Sequence, residues 1–194
     1  MNPATWRDLG TLPNLITLSR VFLVPLFAWA LVAGKAKAAF GIFLLAGITD
    51  VLDGLAARIG RRKSRVGLWL DPAADKLLLT TAYVLMTFPQ FVGPNVLPLR
   101  LTAVVVGRDV AIALAALVLY KWKGQKAFYP TLFGKVSTVI QVLTICAVIV
   151  LNAADATFVY LPWVYDATLA ATVVSGVQYA ILCRPMLAAG KKDA

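Results

Sequence analysis

The stretch DVLDGLAARIGRRKSRVGLWLDPAAD, Asp50 to Asp75, decides how this chain is read. It lies between two long apolar runs. It carries Asp50, Asp53, Asp71 and Asp75, four of the nine acidic residues, all of them aspartates, in the whole chain. Asp50, Asp53, Gly54 and Ala57 recur at i, i+3, i+4 and i+7, the spacing of one helix face. Gly67, Asp71 and Asp75 recur at i, i+4 and i+8 on the next helix, where Pro72 predicts a kink. The basic run between them reads as a short loop. The two helices are therefore expected as antiparallel neighbours, with their carboxylates meeting at similar depth.

The surroundings of this hairpin are too apolar for an ordinary soluble domain. Of 194 residues, 60% are hydrophobic and 14% charged, against ~45–50% and ~25% in soluble domains. Mean hydropathy is +0.80. The composition points to an all-α, polytopic integral membrane protein with one membrane domain over residues 1–194. Six runs approach the ~20 residues that a spanning helix needs: Leu12–Ala33, Ala38–Ile59, Val66–Phe88, Val96–Tyr120, Leu132–Leu151 and Tyr160–Leu182. Gly, Pro, Asn and charged residues occupy the breaks. The first run is too long for a signal-peptide core and is read as a retained helix. Before it, NPATWRDLG suggests a short interfacial helix anchored by Trp6, or a frayed tail.

The net charge of +10 does not point to nucleic acid, because the basic residues cluster at the ends of the apolar runs. Arg61, Arg62, Lys63 and Arg65 follow the second run, Lys121, Lys123 and Lys126 the fourth, and Arg184, Lys191 and Lys192 the last. With six spans all three clusters share the side of the N-terminus, which the positive-inside rule makes cytoplasmic. Both termini are then inside, and the membrane expected is the bacterial inner membrane. Cys146 and Cys183 lie within apolar runs and suit packing. With no histidine in the chain, imidazole catalysis and imidazole metal ligation are excluded.

Ionisable groups inside spans are expensive and mark function. Asn14 and Thr17 open the first span, Asp50, Asp53 and Arg58 close the second, Asp71 and Asp75 open the third, and Lys135 opens the fifth. All these segments face the cytoplasm in this topology, and one polar cavity there would gather them, with Arg108 deeper in the fourth span. Four carboxylates in a low dielectric repel unless protonated or neutralised. A divalent cation removes the repulsion without protons, and an all-oxygen donor set favours Mg²⁺ or Mn²⁺. Gly54, Ala57 and Gly67 leave room for a phosphate ligand beside the metal, with Arg58 and Ser64 as hydrogen-bond donors. Plainer alternatives exist at each position: helix–helix ion pairing for the aspartates, pairing of Arg108 and Asp109 with other helices, snorkelling for Lys135, and helix capping for Asn14 and Thr17.

The spacing of Asp50, Asp53-Gly54, Ala57-Arg58, Gly67, Asp71 and Asp75 resembles the CDP-alcohol phosphotransferase signature at every specified position. PNLITLSR, at the start of the first span, resembles the phosphatidyltransferase branch of that family, so the likeness extends over almost the whole chain. The resemblance implies a six-helix homodimer with two metal ions, Mg²⁺ or Mn²⁺, at the cytoplasmic membrane surface. It implies Asp50, Asp53, Asp71 and Asp75 as metal ligands, with Asp75 also the general base. It implies Asn14, Thr17, Asp50, Gly54, Ala57, Arg58, Ser64 and Gly67 around the donor, CDP-diacylglycerol, with CMP as the leaving product.

The acceptor is read from GRDVAIALAALVLY and LFGKVSTVIQ, which resemble stretches of phosphatidylglycerophosphate synthases. There Arg108 and Lys135 would hold the phosphate of sn-glycerol 3-phosphate. Those enzymes usually carry Arg-Glu where this chain has Arg108-Asp109, and Arg-Asp resembles the cardiolipin synthases of the same superfamily, whose acceptor is phosphatidylglycerol. An intramembrane prenyltransferase would also use aspartate-rich metal sites, but it gives no reason for the Gly54, Ala57-Arg58 and Gly67 spacing. An ion-coupled transporter would need polar groups across the full span, whereas these aspartates gather towards one leaflet.

Overall fold

The computed structural model describes residues 12–60, 67–123 and 131–188, and among them all regular secondary structure is α-helical. The helices are α1 (Leu12–Val32), α2 (Ala36–Gly60), α3 (Gly67–Leu85), α4 (Pro89–Val92), α5 (Leu99–Lys123), α6 (Leu132–Ala153) and α7 (Leu161–Ala188). Helices thus fall at all six expected runs. The segment NPATWRDLG lies outside the described residues. The short α4 was not expected. It forms where the third run ends, with Pro89 in its first turn and Gly93 at its C-cap at φ 86°, the pairing of an N-terminal proline with a C-terminal glycine. The fourth run begins later than expected, because Pro98 disfavours helix at the residue before it and its carbonyl accepts from Leu101 N–H at 2.9 Å.

Among the described residues three helical stretches are long and apolar enough to cross a membrane: Leu99–Val118, Leu132–Ala153 and Leu161–Cys183. Shorter apolar helical stretches are Phe22–Val32, Ala36–Thr49 and Lys76–Leu85. Large apolar side chains point outward on these helices, with Leu132 73%, Leu143 62% and Ile181 66% exposed. In water such faces would be strongly unfavourable. They mark an integral membrane protein.

The chain divides into two compact units. The first holds α1 to α4 and the segment Ile149–Ala156. Here α1 packs along both α2 and α3. Its buried residues Phe27, Ala30 and Leu31 recur at i, i+3 and i+4, those of α2, Ala39, Phe43 and Ala46, at i, i+4 and i+7, and those of α3 include Leu79, Ala82 and Tyr83. Small residues let the helix backbones approach, and Phe27 and Phe43 fill the remaining space with ring centroids 5.7 Å apart. The α1–α2 turn closes with Lys35 N–H donating to Ala30 C=O (2.8 Å) and Gly34 N–H to Leu31 C=O (2.9 Å). This is a Schellman motif, and it needs the left-handed φ of 67° that Gly34 supplies.

The second unit holds α5, α7 and α6 up to Val148. Its α6–α7 seam is polar and buried: Ser137, Gln141 and Thr144 face Thr168 and Thr172. Gln141 Nε2 donates to Thr172 Oγ1 at 3.0 Å, and the hydroxyls of Thr144 and Thr168 are 2.7 Å apart. Both threonines of α7 also donate back to carbonyls of their own helix. The seam therefore carries few unmet polar groups, as an apolar surrounding requires.

Candidate active site

The two helices that flank the opening stretch both pack on α1. Asp50, Asp53, Gly54, Ala57 and Arg58 occupy the last three turns of α2, and Gly67, Asp71 and Asp75 occupy the first turns of α3. The helix is continuous through Pro72. Asn14 and Thr17 lie in the first two turns of α1. Their backbones are helical, as expected. Their side chains, and Ser64 altogether, lie outside the described residues. The donor chemistry still fits a hard cation, since the stretch supplies carboxylates and no sulfur or nitrogen ligand.

A cavity of about 200 Å³ in the first unit is lined by Leu31, Gly34, Met86, Phe91 and Asn152, among others. It opens at the start of α2, and Asp50 lies about 21 Å further along that helix at 1.5 Å per residue. The cavity is therefore distinct from the carboxylate stretch.

Arg108, on α5, is the best-defined functional candidate. Its side chain is 8% exposed and that of Asp109 9%. Adjacent residues on a helix diverge by about 100°, which predicted separate partners for the two. Instead the long guanidinium folds back, and Nη1 donates to Asp109 Oδ1 at 2.7 Å. Nη2 donates to Ser175 Oγ of α7 at 2.6 Å, and the guanidinium lies 5.6 Å from the centre of the Tyr179 ring. Gly134 and Gly176 make room for it: a Cβ on Gly134 would stand 3.3 Å from Arg108 Nη2, and one on Gly176 3.5 Å from Arg108 Cγ. Arg108 Nε is buried and has no partner among the described residues.

Lys135 follows Gly134 at the start of α6, one residue from where that helix approaches Arg108, and it is exposed. Thr131 caps α6, its Oγ1 accepting from Gly134 N–H at 3.1 Å. Sequence spacing singled out Arg108 and Lys135 but missed Ser175, Gly176 and Tyr179. They lie on another helix, and only the small-residue pair Ser175-Gly176 hinted at a close approach. The buried pair Asn95 and Asn152 was also missed: Asn152 Oδ1 accepts from both Asn95 N–H and Asn95 Nδ2 at 2.9 Å, while Asn152 Nδ2 donates to Asn95 C=O. Both asparagines read as ordinary turn residues in the sequence. They tie the connection before α5 to the end of α6.

A family model described as CDP-alcohol phosphatidyltransferase matches residues 10–178. Human cardiolipin synthase (CMP-forming) is 29% identical over 198 residues, covering 91% of this chain and 64% of that protein. The CDP-diacylglycerol–glycerol-3-phosphate 3-phosphatidyltransferase of Aquifex aeolicus (strain VF5) is 31% identical over 146 residues, covering 75% of this chain and 79% of that protein. The Escherichia coli (strain K12) protein of the same description is 32% identical over 137 residues, covering 69% of this chain and 74% of that protein. The chain spans a little under two thirds of the length of the human and rat cardiolipin synthases it matches.

Proposed function

The chain belongs to the CDP-alcohol phosphatidyltransferase family, and from that membership we propose that it transfers the phosphatidyl group of CDP-diacylglycerol to a glycerol-type alcohol and releases CMP. The observation that carries this reading is the signature from Asp50 to Asp75, whose eight fixed positions divide between the end of α2 and the start of α3. In this reading residues 1–194 act as one catalytic domain with six membrane spans. Both termini and the site face the cytoplasm of a bacterial inner membrane, and the protein works as a homodimer. The basic clusters and the bacterial relatives support that placement.

The residues divide the work as follows. Asp50, Asp53, Asp71 and Asp75 would hold Mg²⁺ or Mn²⁺, two ions in all, which when bound would neutralise charge on the pyrophosphate and on departing CMP. Asn14, Thr17, Gly54, Ala57, Arg58, Ser64 and Gly67 hold the CDP-lipid, the small residues by leaving space and the polar ones by hydrogen bonds. The acceptor hydroxyl attacks the phosphorus bearing diacylglycerol as its bond to the CMP oxygen breaks. Asp75 takes the hydroxyl proton as the new bond forms. No covalent intermediate on the protein is needed.

For the acceptor, Arg108 and Lys135 favour sn-glycerol 3-phosphate: a fork donor and a point charge flank the start of α6. A second reading, phosphatidylglycerol, is supported by Arg108-Asp109, which resembles the cardiolipin synthases at this place, and by the similarity to CMP-forming cardiolipin synthases. An acceptor panel separates the two. Purified protein is given CDP-diacylglycerol, a divalent cation and each alcohol in turn, and lipid products are read by mass. Phosphatidylglycerophosphate is the expected product. Cardiolipin alone, formed only with phosphatidylglycerol, would replace the first acceptor by the second. Growth of neither product would remove the glycerol-type acceptor.

A further inference from the structure

The first unit holds two recesses that run into each other at the start of α2, the end remote from the carboxylates. The outer one, about 410 Å³, is lined by Lys35, Lys37 and Asp155, among others. The inner one is the cavity of about 200 Å³ described above, with Leu31, Met86, Phe91 and Ile149 in its wall. Gly34, Ala36, Asn152 and Asp155 line both. We propose that this double recess binds the headgroup of a zwitterionic phospholipid. Its phosphodiester sits on the side of Lys35 and Lys37, its ammonium meets Asp155, and its ester region lies over the apolar wall. The site does not take part in the proposed reaction, since Asp50 lies roughly 21 Å further along α2.

Charge complementarity selects this occupant. Lys35, Lys37 and Asp155 are exposed, and none of the three has an ionic partner among the described residues. Two ammonium groups and a carboxylate therefore share one recess without closing on each other. A purely anionic headgroup would gain from the lysines and be repelled by Asp155. A phosphodiester followed by an ammonium meets both signs. The recess also stands at headgroup level. Lys35 Nζ lies 4.5 Å from the centre of the Trp29 ring. Trp29 is half exposed near the end of α1, below which Phe22 and Leu26 also face outward. A tryptophan at the end of an apolar helix, with a lysine reaching over it, marks the membrane–water boundary. An ammonium has three donors, so the ring contact leaves Lys35 able to meet a phosphate. Inward, the lining changes from charged to apolar, as a phospholipid does from its headgroup to its esters. A free phosphate would use the charged rim alone and leave the inner cavity unmatched.

The test uses the full chain reconstituted into vesicles of equal parts phosphatidylethanolamine and phosphatidylglycerol, then extracted in mild detergent. Retained lipid is read by native mass spectrometry. The wild-type protein should keep phosphatidylethanolamine in preference to phosphatidylglycerol, a comparison that needs no variant to fold. Asp155→Asn, which tolerates the same left-handed backbone, should lower that preference about threefold to fivefold, the scale of an exposed charge pair. Lys37→Gln should lower retention of phosphatidylethanolamine by a similar factor. Ala36→Trp fills the recess without changing its charge and should remove the preference altogether. Phosphatidylglycerol held at the proposed acceptor site is insensitive to these three variants, which lie away from it in the chain. Equal retention of the two lipids by the wild-type protein, or a preference unchanged in all three variants, overturns the proposal. Either result in a protein that still releases CMP leaves the proposed function standing. The expected preference in a protein that releases no CMP supports the lipid site and removes the function alone.

Discussion

Asp155 adopts φ 48° at the end of α6, where Ala156 N–H donates to Leu151 C=O at 2.9 Å and Asp155 N–H to Asn152 C=O at 3.3 Å. This is the same closing motif as at Gly34, with an aspartate where glycine is usual. Asp tolerates the left-handed region better than most residues but still at a cost. Asp155→Gly should raise stability by about 0.5–1 kcal/mol, read as a higher thermal midpoint in detergent; a lower midpoint would mean that the Asp155 side chain contributes more than its backbone strain removes. Gly134→Ala should act oppositely. Its Cβ would stand 2.9 Å from Thr131 Oγ1 and 3.1 Å from Tyr179 Cε2, so the cap of α6 and the ring over Arg108 must both give way. A loss of about 1–3 kcal/mol is expected, again in the thermal midpoint, and an unchanged midpoint would show that α6 can shift freely. At this scale the aspartate spacing was legible because periodicity acts within one helix. The holders of Arg108 were not, because Ser175 is 67 positions away in the chain, and nothing local in the sequence encodes that contact.

Helix positions were legible for a different reason. A run of apolar residues long enough to span, ended by Gly, Pro or charge, has few alternatives to helix in a membrane. The ends were less legible, since they depend on single caps: Pro98 delays α5, and the Pro89 and Gly93 pair makes α4 out of a presumed break. The α6–α7 seam was not legible either, because Ser and Thr inside an apolar run can bond back to their own helix or across to another. In this seam they do both. Thr172→Val removes the nearer of two acceptors for Gln141 Nε2, leaving Ser137 Oγ at 3.3 Å, and should cost about 1 kcal/mol, measured as the thermal midpoint of the detergent-solubilised protein. Gln141→Leu should cost less, because Thr172 Oγ1 keeps its own bond to the Thr168 carbonyl and the seam then faces an apolar side chain. If Gln141→Leu proved the more damaging of the two, the seam would depend on the amide and not on the threonine ladder.

On the scale of the whole molecule, the two units carry different parts of the proposed reaction. The carboxylate stretch belongs to the first unit, and Arg108 and Lys135 belong to the second. Membership of the CDP-alcohol phosphatidyltransferase family covers both, since the match runs over residues 10–178. Composition and the spacing from Asp50 to Asp75 made the family legible. The acceptor was not legible, because glycerol 3-phosphate and phosphatidylglycerol share a glycerol hydroxyl and a phosphate, so a basic pocket suits either. The central claim is phosphatidyl transfer that depends on the aspartate stretch and on a divalent cation. The most direct measurement is CMP released from CDP-diacylglycerol by the purified protein, with its glycerol-type acceptor, before and after chelation of divalent cations and in Asp75→Asn. CMP release should stop with chelator, return with Mg²⁺ or Mn²⁺, and fall at least a hundredfold, on the order of a lost general base, in Asp75→Asn. Undiminished CMP release in excess chelator, or near wild-type turnover by Asp75→Asn, would contradict the mechanism.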